Sequence, residues 1–142
     1  MTISTRGRYA LRVLIDLAEH PTSHFIPLKE IAARQEISLK YIEKFMPFLV
    51  RAGMVVCASG KGGGYRIAKS PDSICVGDVL RVVEEELAPV SCLAPGAKPC
   101  PRAPYCKTLG MWKGYYDLTT AYFDGIKLSD LVGVSHEPDY VI

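Results

Sequence analysis

The segment that decides the fold is Ile37–Lys69, ISLKYIEKFMPFLVRAGMVVCASGKGGGYRIAK. Ser38 is a good helix N-cap, because its hydroxyl can accept a backbone N–H of the first turn. Ile37 before it can pack against Ile42, the hydrophobic staple that fixes how a chain enters a helix. The spacing predicts a helix from there to about Ala52, stopped by Gly53, with Ile42, Phe45, Met46 and Leu49 inward and Lys40, Tyr41, Glu43 and Lys44 outward. Pro47 opposes an unbroken helix: it removes a hydrogen bond and costs roughly 3 kcal/mol, so a bend or an early break is expected there. After Gly53, Met54–Ala58 and Tyr65–Ala68 read as two strands around the turn Ser59-Gly60-Lys61-Gly62-Gly63-Gly64. Glycines around one lysine allow positive φ and close approach to a phosphate backbone, with Lys61 at the tip and Arg66 and Lys69 on the flank. A nucleotide-binding loop is the rival reading, and it fails because no Ser or Thr follows Gly60-Lys61 and a strand follows the glycines.

Upstream, Ala10, Val13, Leu14, Leu17 and Ala18 recur at helical spacing and predict a first helix with one buried stripe, ending near His20-Pro21. Pro27 suits the first turn of a second helix running to about Gln35, where its missing N–H has no intrahelical partner to lose. Two short helices joined by a tight turn, followed by the hairpin, make a winged helix-turn-helix, whose third helix enters the major groove of DNA. One such module binds weakly, and operators are usually read by two-fold symmetric dimers, so the rest of the chain is expected to hold a dimer interface.

Downstream, Val76–Glu84 reads as a short closing helix, and Pro104 as the start of a long helix running to about Asp124. Along the long helix Tyr105, Leu109, Trp112, Tyr116, Thr119 and Phe123 form a coiled-coil-like seam, with Met111, Tyr115, Leu118 and Tyr122 on the adjacent face. A helix that is apolar on two sides must bury one on its own domain and one on a partner; the seam of Leu109, Trp112, Tyr116 and Phe123 is assigned to the dimer. The expected fold class is mainly α with a small β-hairpin wing: a winged helix-turn-helix plus a long C-terminal dimerisation helix. It divides into a DNA-binding domain (1–86), a proline-rich cysteine loop (87–103) and the dimerisation helix and tail (104–142).

The chain has 142 residues with a net charge of only +2, but the charge is uneven. Residues 1–70 carry 11 Lys/Arg against 5 Asp/Glu, and residues 71–142 carry 6 against 10, so a polyanion is the expected partner of the first half. Charges interleaved in the first helix exclude a signal peptide or membrane span there, and a cytoplasmic protein with no membrane contact is expected. Cys92, Cys100 and Cys106 sit in a connection that also holds five of the ten prolines. In the cytosol such thiols hold an iron-sulfur cluster or zinc, or act as redox groups. Zinc is disfavoured, since structural sites use short C-x2-4-C pairs and the gaps here are seven and five residues. Cys57 and Cys75 read as small core residues. A thiol redox enzyme would want a C-x-x-C pair or a cysteine with a histidine base, and His20, His24 and His136 lie at unrelated places, so no enzyme is expected.

In combination, Ser4-Thr5-Arg6-Gly7-Arg8-Tyr9-Ala10, Ile37–Glu43, Gly62-Gly63-Gly64-Tyr65, Val76-Gly77-Asp78-Val79 and Leu128-Ser129-Asp130-Leu131 resemble the bacterial winged-helix transcription regulators of the IscR, NsrR and CymR family. The resemblance covers nearly the whole chain and implies a homodimer on double-stranded operator DNA. It also implies Cys92, Cys100 and Cys106 as ligands of a 2Fe-2S or 4Fe-4S cluster that reports iron-sulfur status, redox or nitrosative stress. Two departures concern the fourth ligand. Where IscR supplies a histidine ligand this chain has Leu109, and where NsrR offers an aspartate from the other subunit it has Arg8. The other ligand candidates are acidic residues of the first helix, His24, Cys75, a terminal carboxylate or a small molecule. The wing has Ser59 where IscR-like wings place an arginine. Ser38, Lys40, Tyr41, Glu43 and Lys44 are the expected base readers, with Arg6, Arg8, Lys61, Arg66 and Lys69 on phosphates and Ser59 also counted among the DNA-binding residues. The last residues, Tyr140-Val141-Ile142 after Asp139, resemble tails that enter the active site of cysteine synthase. They suggest, as the alternative, a cluster-free CymR-like regulator of cysteine metabolism bound to that enzyme.

Overall fold

The computed structural model of the chain describes residues 2–134; Tyr140, Val141 and Ile142, on which the tail reading rests, lie outside them. Helix α1 (Thr5–Glu19) starts where the Ser4 hydroxyl accepts the Gly7 N–H, and its stripe of Ala10, Val13, Leu14 and Leu17 is buried as expected. Helix α2 (Leu28–Gln35) packs against it, with Pro27 at the N-cap, one position earlier than the first turn. Glu36 then turns left-handed at φ 55°, which lets Ile37 N–H reach the Ala32 carbonyl (3.1 Å) and Glu36 N–H reach that of Ala33 (3.4 Å). This pair of bonds closes a helix end when one residue adopts that conformation, a place usually filled by glycine. Ser38 caps α3 (Leu39–Ile42) by accepting Tyr41 N–H at 3.1 Å, and Ile37 and Ile42 are both buried, so the staple is in place.

The single helix expected to reach Ala52 is two. α3 ends at Ile42, and α4 (Met46–Arg51) restarts with Pro47 in its first turn. The break lies just ahead of the proline for a clear reason: Pro47 has no N–H for the Glu43 carbonyl and its ring would collide with it. The chain therefore tightens into i to i−3 bonds, Lys44 to Tyr41 and Phe45 to Ile42. Phe45, Met46 and Leu49 are nevertheless all buried. Strands β1 (Val55–Ala58) and β2 (Gly64–Ile67) pair antiparallel with Val55 opposite Ile67 and Ala58 opposite Gly64. The other edge of β2 is bonded to the segment before α2, where Ile26 and Tyr65 exchange both backbone hydrogen bonds at 2.8 Å. Gly64 is required there: its φ is 145°, and a Cβ would collide with the Ile26 carbonyl.

Helix α5 (Val76–Val83) closes the domain against α1 and α4. The long helix α6 spans Leu109–Asp124, five residues later than the expected start at Pro104. Pro104 sits instead in a 3-10 turn (Ala103–Tyr105), after which Cys106 is extended at ψ 111° and ends the helical run. The short α7 (Leu128–Leu131) returns to the core, burying Leu128 and bonding Leu128 N–H to Ile74 O (2.8 Å). No helix among the described residues is long and apolar enough to cross a membrane.

Two polar contacts hold this arrangement. Asp16 in α1 is 1% exposed, the sole buried polar or charged residue among those described. Its carboxylate accepts two bonds from Arg34 (2.6 and 3.0 Å) and one from Gln35 Nε2 (2.8 Å), while Arg12 reaches back to Gln35. At the other end, Asp124 of α6 lies over Gly77, where a Cβ would collide with its carboxylate, and pairs with Arg81 at 2.7 Å. Arg81 also holds Asp78 at 2.8 Å.

Burial alone pushes the Asp16 carboxyl up, but the bonds from Arg34 and Gln35 outweigh it and hold the group below its usual value of 3.8. A depressed folded-state value means stability present near neutrality and lost as the pH falls below about 4 through the folded value. Asp16→Ala leaves Arg34 facing a buried gap, so urea titration at pH 7 is expected to show a loss of about 3–5 kcal/mol. The variant should also show a shallower fall of stability in acid than the parent.

Candidate nucleic-acid interface and cysteine cavity

The recognition segment presents Ser38, Lys40, Glu43 and Lys44 to solvent. Tyr41 differs from the outward reading: it is half-buried, packed edge-on against Tyr9 (5.4 Å) and Phe45 (6.4 Å). Lys44 lies over the Tyr41 ring at 5.7 Å and Arg12 over the Tyr9 ring at 5.1 Å. The aromatic pair thus ties the start of α1 to α3 and aligns two cations along it.

The wing candidates divide. Ser59 and Lys61 are exposed on the turn, where Gly60 (φ 83°) and Gly62 (φ 78°) flank the lysine. Arg66 is committed within the fold, donating to Ser23 O at 2.9 Å and stacking on Phe25 at 4.8 Å. Lys69 is exposed at the base of the wing, beside Gly53 and near Asp78. At the N-terminal turn of α1, Arg6 pairs with Glu85 (3.4 Å), and Arg8 is exposed and donates to Thr5 Oγ1 (3.0 Å). The neighbouring Glu84 carboxylate accepts both the Ser4 N–H (3.0 Å) and its hydroxyl (2.8 Å). A Cβ at Gly7 would collide with that carboxylate, which accounts for glycine within the Ser4–Ala10 motif.

The three loop cysteines open on one cavity of about 180 Å³, lined also by Leu93, Pro99, Ala103, Leu109 and Lys113. All three thiols are free. The Thr108 hydroxyl, 3.6 Å from Cys106 Sγ, and backbone N–H groups hold that thiol below its usual value, with the Arg102 charge adding least. Among the described residues no group of three or more His, Cys, Asp or Glu is gathered tightly enough to bind a metal ion as it stands. The donor chemistry nonetheless suits a cluster at three corners: three soft sulfurs share one open space, with no carboxylate or imidazole among the described residues that line it. His24 lines a separate pocket with His20 and Glu30, and Cys75 caps α5 by accepting Asp78 N–H. Cys57, expected in the core, is exposed on β1.

On α6 the two stripes also divide. Tyr116, Thr119 and Phe123 of the expected seam line a pocket with Gly77, Leu80 and Leu87 of their own chain. Leu109 faces the cysteines, and Trp112 is half-buried. The adjacent stripe is the open one: Met111 (57%), Tyr115 (42%), Leu118 (73%) and Tyr122 (67%) are exposed. Sequence reasoning missed Lys113 in the cavity, although its spacing of four from Leu109 places both on one helix face.

A helix-turn-helix closed by a hairpin wing, with a long helix carried outside it, defines a DNA-binding transcription regulator. Comparison bears this out. Residues 3–133 match the model of the family described as Rrf2, iron-dependent transcriptional regulator, and the chain belongs to that family of non-enzymatic regulators. It is 36% identical over 132 residues, 93% of this chain and 77% of the relative, to the HTH-type transcriptional regulator IscR of Aliivibrio salmonicida. Among solved structures it is similar to CymR, the global cysteine regulator of B. subtilis (TM-score 0.74, 32% identity, covering 96% of this chain and 99% of that one). It is equally similar in fold to T. potens IscR (TM-score 0.74, 30% identity, 100% and 93%).

The exposed Lys61 and the aromatic-backed Lys44 generate different expectations. Lys61→Ala should weaken binding to every duplex and reduce the slope of log affinity against log salt by about one unit. Lys44→Ala should change the preferred sequence, read by selection from a random duplex pool. An unaltered salt slope in the first variant removes the wing tip from the interface.

Proposed function

We propose that the chain is a cytoplasmic homodimer that grips double-stranded operator DNA through α3 and the wing. It senses iron-sulfur status, redox or nitrosative stress through a cluster held by Cys92, Cys100 and Cys106. The observation that carries the reading is the shared cavity: Cys92 and Cys100 from the loop and Cys106 from the lead-in to α6 border the same space. The family's description as iron-dependent and the likeness to IscR support it. Bound there, a 2Fe-2S or 4Fe-4S cluster supplies a group whose charge and ligation change on oxidation or ligand loss. The thiols bind it, Thr108 favours the Cys106 thiolate, and the prolines limit the shapes the arm adopts.

Base reading falls to Ser38, Lys40, Tyr41, Glu43 and Lys44, with Tyr41 contributing chiefly by fixing the others. Backbone contacts fall to Arg8, Ser59, Lys61 and Lys69; Arg6 and Arg66 serve through the packing of the N-terminal turn and the wing. The dimer is formed by Met111, Tyr115, Leu118 and Tyr122, since an apolar stripe of this kind on a 16-residue helix is what a partner covers. The expected seam of Leu109, Trp112, Tyr116 and Phe123 supports it from the inner side of α6. A second reading is favoured by Leu109, which leaves the cavity one ligand short, and by the likeness to CymR. In it the regulator is free of cluster and controlled by cysteine synthase through Tyr140-Val141-Ile142.

Protein purified without oxygen is expected to be brown and to carry iron and sulfide, and Cys92→Ala, Cys100→Ala and Cys106→Ala each to lose colour while keeping their far-ultraviolet circular dichroism. A colourless parent that still shifts operator DNA overturns the cluster reading in favour of the second. Leu118→Glu is expected to yield monomers in analytical ultracentrifugation and to lose operator binding at concentrations that saturate the parent. A variant that stays dimeric refutes the assignment of that stripe.

A further inference from the structure

Leu39 opens α3 with its side chain in water: it is 40% exposed, and among the described residues it belongs neither to the core nor to the apolar side chains packed against it. Its apolar neighbours differ. Ile37 and Ile42 are buried, and Leu28, which holds the same first position in α2, packs against the core. Leu39 is therefore spared from the packing that the helix-turn-helix needs. Its backbone is nonetheless fixed, since Ser38 caps the turn and the Leu39 carbonyl accepts the Glu43 N–H at 3.1 Å. That bond closes one full turn, so Leu39 and Glu43 lie on the same side, with Cβ atoms about 5–6 Å apart. Ser38, Lys40, Glu43 and Lys44 around it are all exposed.

Resting on the reading of α3 as the DNA-contacting helix, we propose that Leu39 is a specificity residue that reads the C5-methyl group of a thymine. The first residues of such a helix meet base edges in the major groove. Every base edge there offers hydrogen-bond donors or acceptors, and thymine adds a methyl group. A leucine forms no side-chain hydrogen bond, so against another base it leaves those polar atoms without water and without a partner. Against the methyl group it removes apolar surface from water on both sides. Lys40 and Lys44 suit a guanine edge or a phosphate, whereas Leu39 suits one base. The spacing also locates that base. Base pairs stack about 3.4 Å apart, so a separation of about 5–6 Å places the thymine about one or two base pairs from the pair that Glu43 meets.

The probe is the duplex that the full chain selects from a random pool, with each thymine in turn replaced by deoxyuridine, which pairs identically and lacks only the methyl group. At one thymine of a half-site the replacement is expected to weaken binding by the parent about fourfold, the size of one buried methyl group. Leu39→Ala should bind the thymine and deoxyuridine duplexes equally while keeping the melting temperature of the parent, and Leu39→Met should retain most of the discrimination. Lys61→Ala, weakened on every duplex, should retain it in full. A parent indifferent to every replacement overturns the inference, and so does the same penalty at the same thymine in Leu39→Ala. Both of those outcomes leave the reading of α3 intact. A parent that selects no duplex sinks that reading and this inference together.

Discussion

The helix-turn-helix is held in shape by a single carboxylate. Asp16 has been withdrawn from water at the seam between α1 and α2, and a charge so placed is tolerated only if its lone pairs are filled. Arg34 and Gln35 fill them, and both come from the last turn of α2, immediately before the left-handed Glu36. The bonds therefore fix where α2 ends, and with it the direction in which Ile37 and Ser38 launch α3. Hydrophobic burial could be met by several slides of α2 along α1; a bidentate guanidinium on a buried carboxylate is met by one. The presentation of Lys40 and Lys44 depends on that single register.

A similar logic anchors the outer helix. No residue of α6 is fully buried, so apolar contact alone fixes it weakly. Its last residue supplies the missing definition: Asp124 descends on Gly77 and grips Arg81, whose guanidinium is held charged by Asp124 and then Asp78. The chain then passes to α7, which inserts Leu128 into the core. The C-terminal end of α6 is thereby fastened, while its N-terminal end is continuous with the proline-rich arm that carries the cysteines.

What the sequence discloses and what it hides follow from the range of each interaction. The stripe Ala10, Val13, Leu14, Leu17, the Ser38 cap, the Ile37–Ile42 staple and the stop at Gly53 are written in spacings of a few residues, and all are found. The break at Pro47 was legible as a conflict, though its position ahead of the proline follows from the Glu43 carbonyl that the ring would strike. Asp16 was illegible: in the sequence it is one charge among those alternating with apolar residues in α1, and only Arg34, eighteen residues on, makes it a core group. Arg66 reads as a free cation until Ser23 and Phe25 arrive from another segment. The two stripes of α6 are equally apolar, and which one the domain covers is decided by Gly77, Leu80 and Leu87. For the cysteines, composition named the three residues. Their common cavity required the turns at Ser91–Leu93 and Ala103–Tyr105.

The arm shaped by those turns is joined, through the residues at its start, to α1. The arm begins where α5 ends, and the two residues that follow α5 are bonded to the start of α1: Glu84 to Ser4, and Glu85 to Arg6. Arg8 lies one turn further along the same helix, beside Tyr9, whose ring meets Tyr41 of the recognition segment. The path from the arm to α3 thus runs through two hydrogen bonds, one turn of helix and one aromatic contact, each with a defined geometry. The Glu85–Arg6 pair is exposed and weak, but the Glu84 carboxylate takes both Ser4 donors and lies where a Cβ at Gly7 would collide with it. Of the two, the Glu84 contact rather than the salt bridge sets how the end of α5 and the start of α1 lie together.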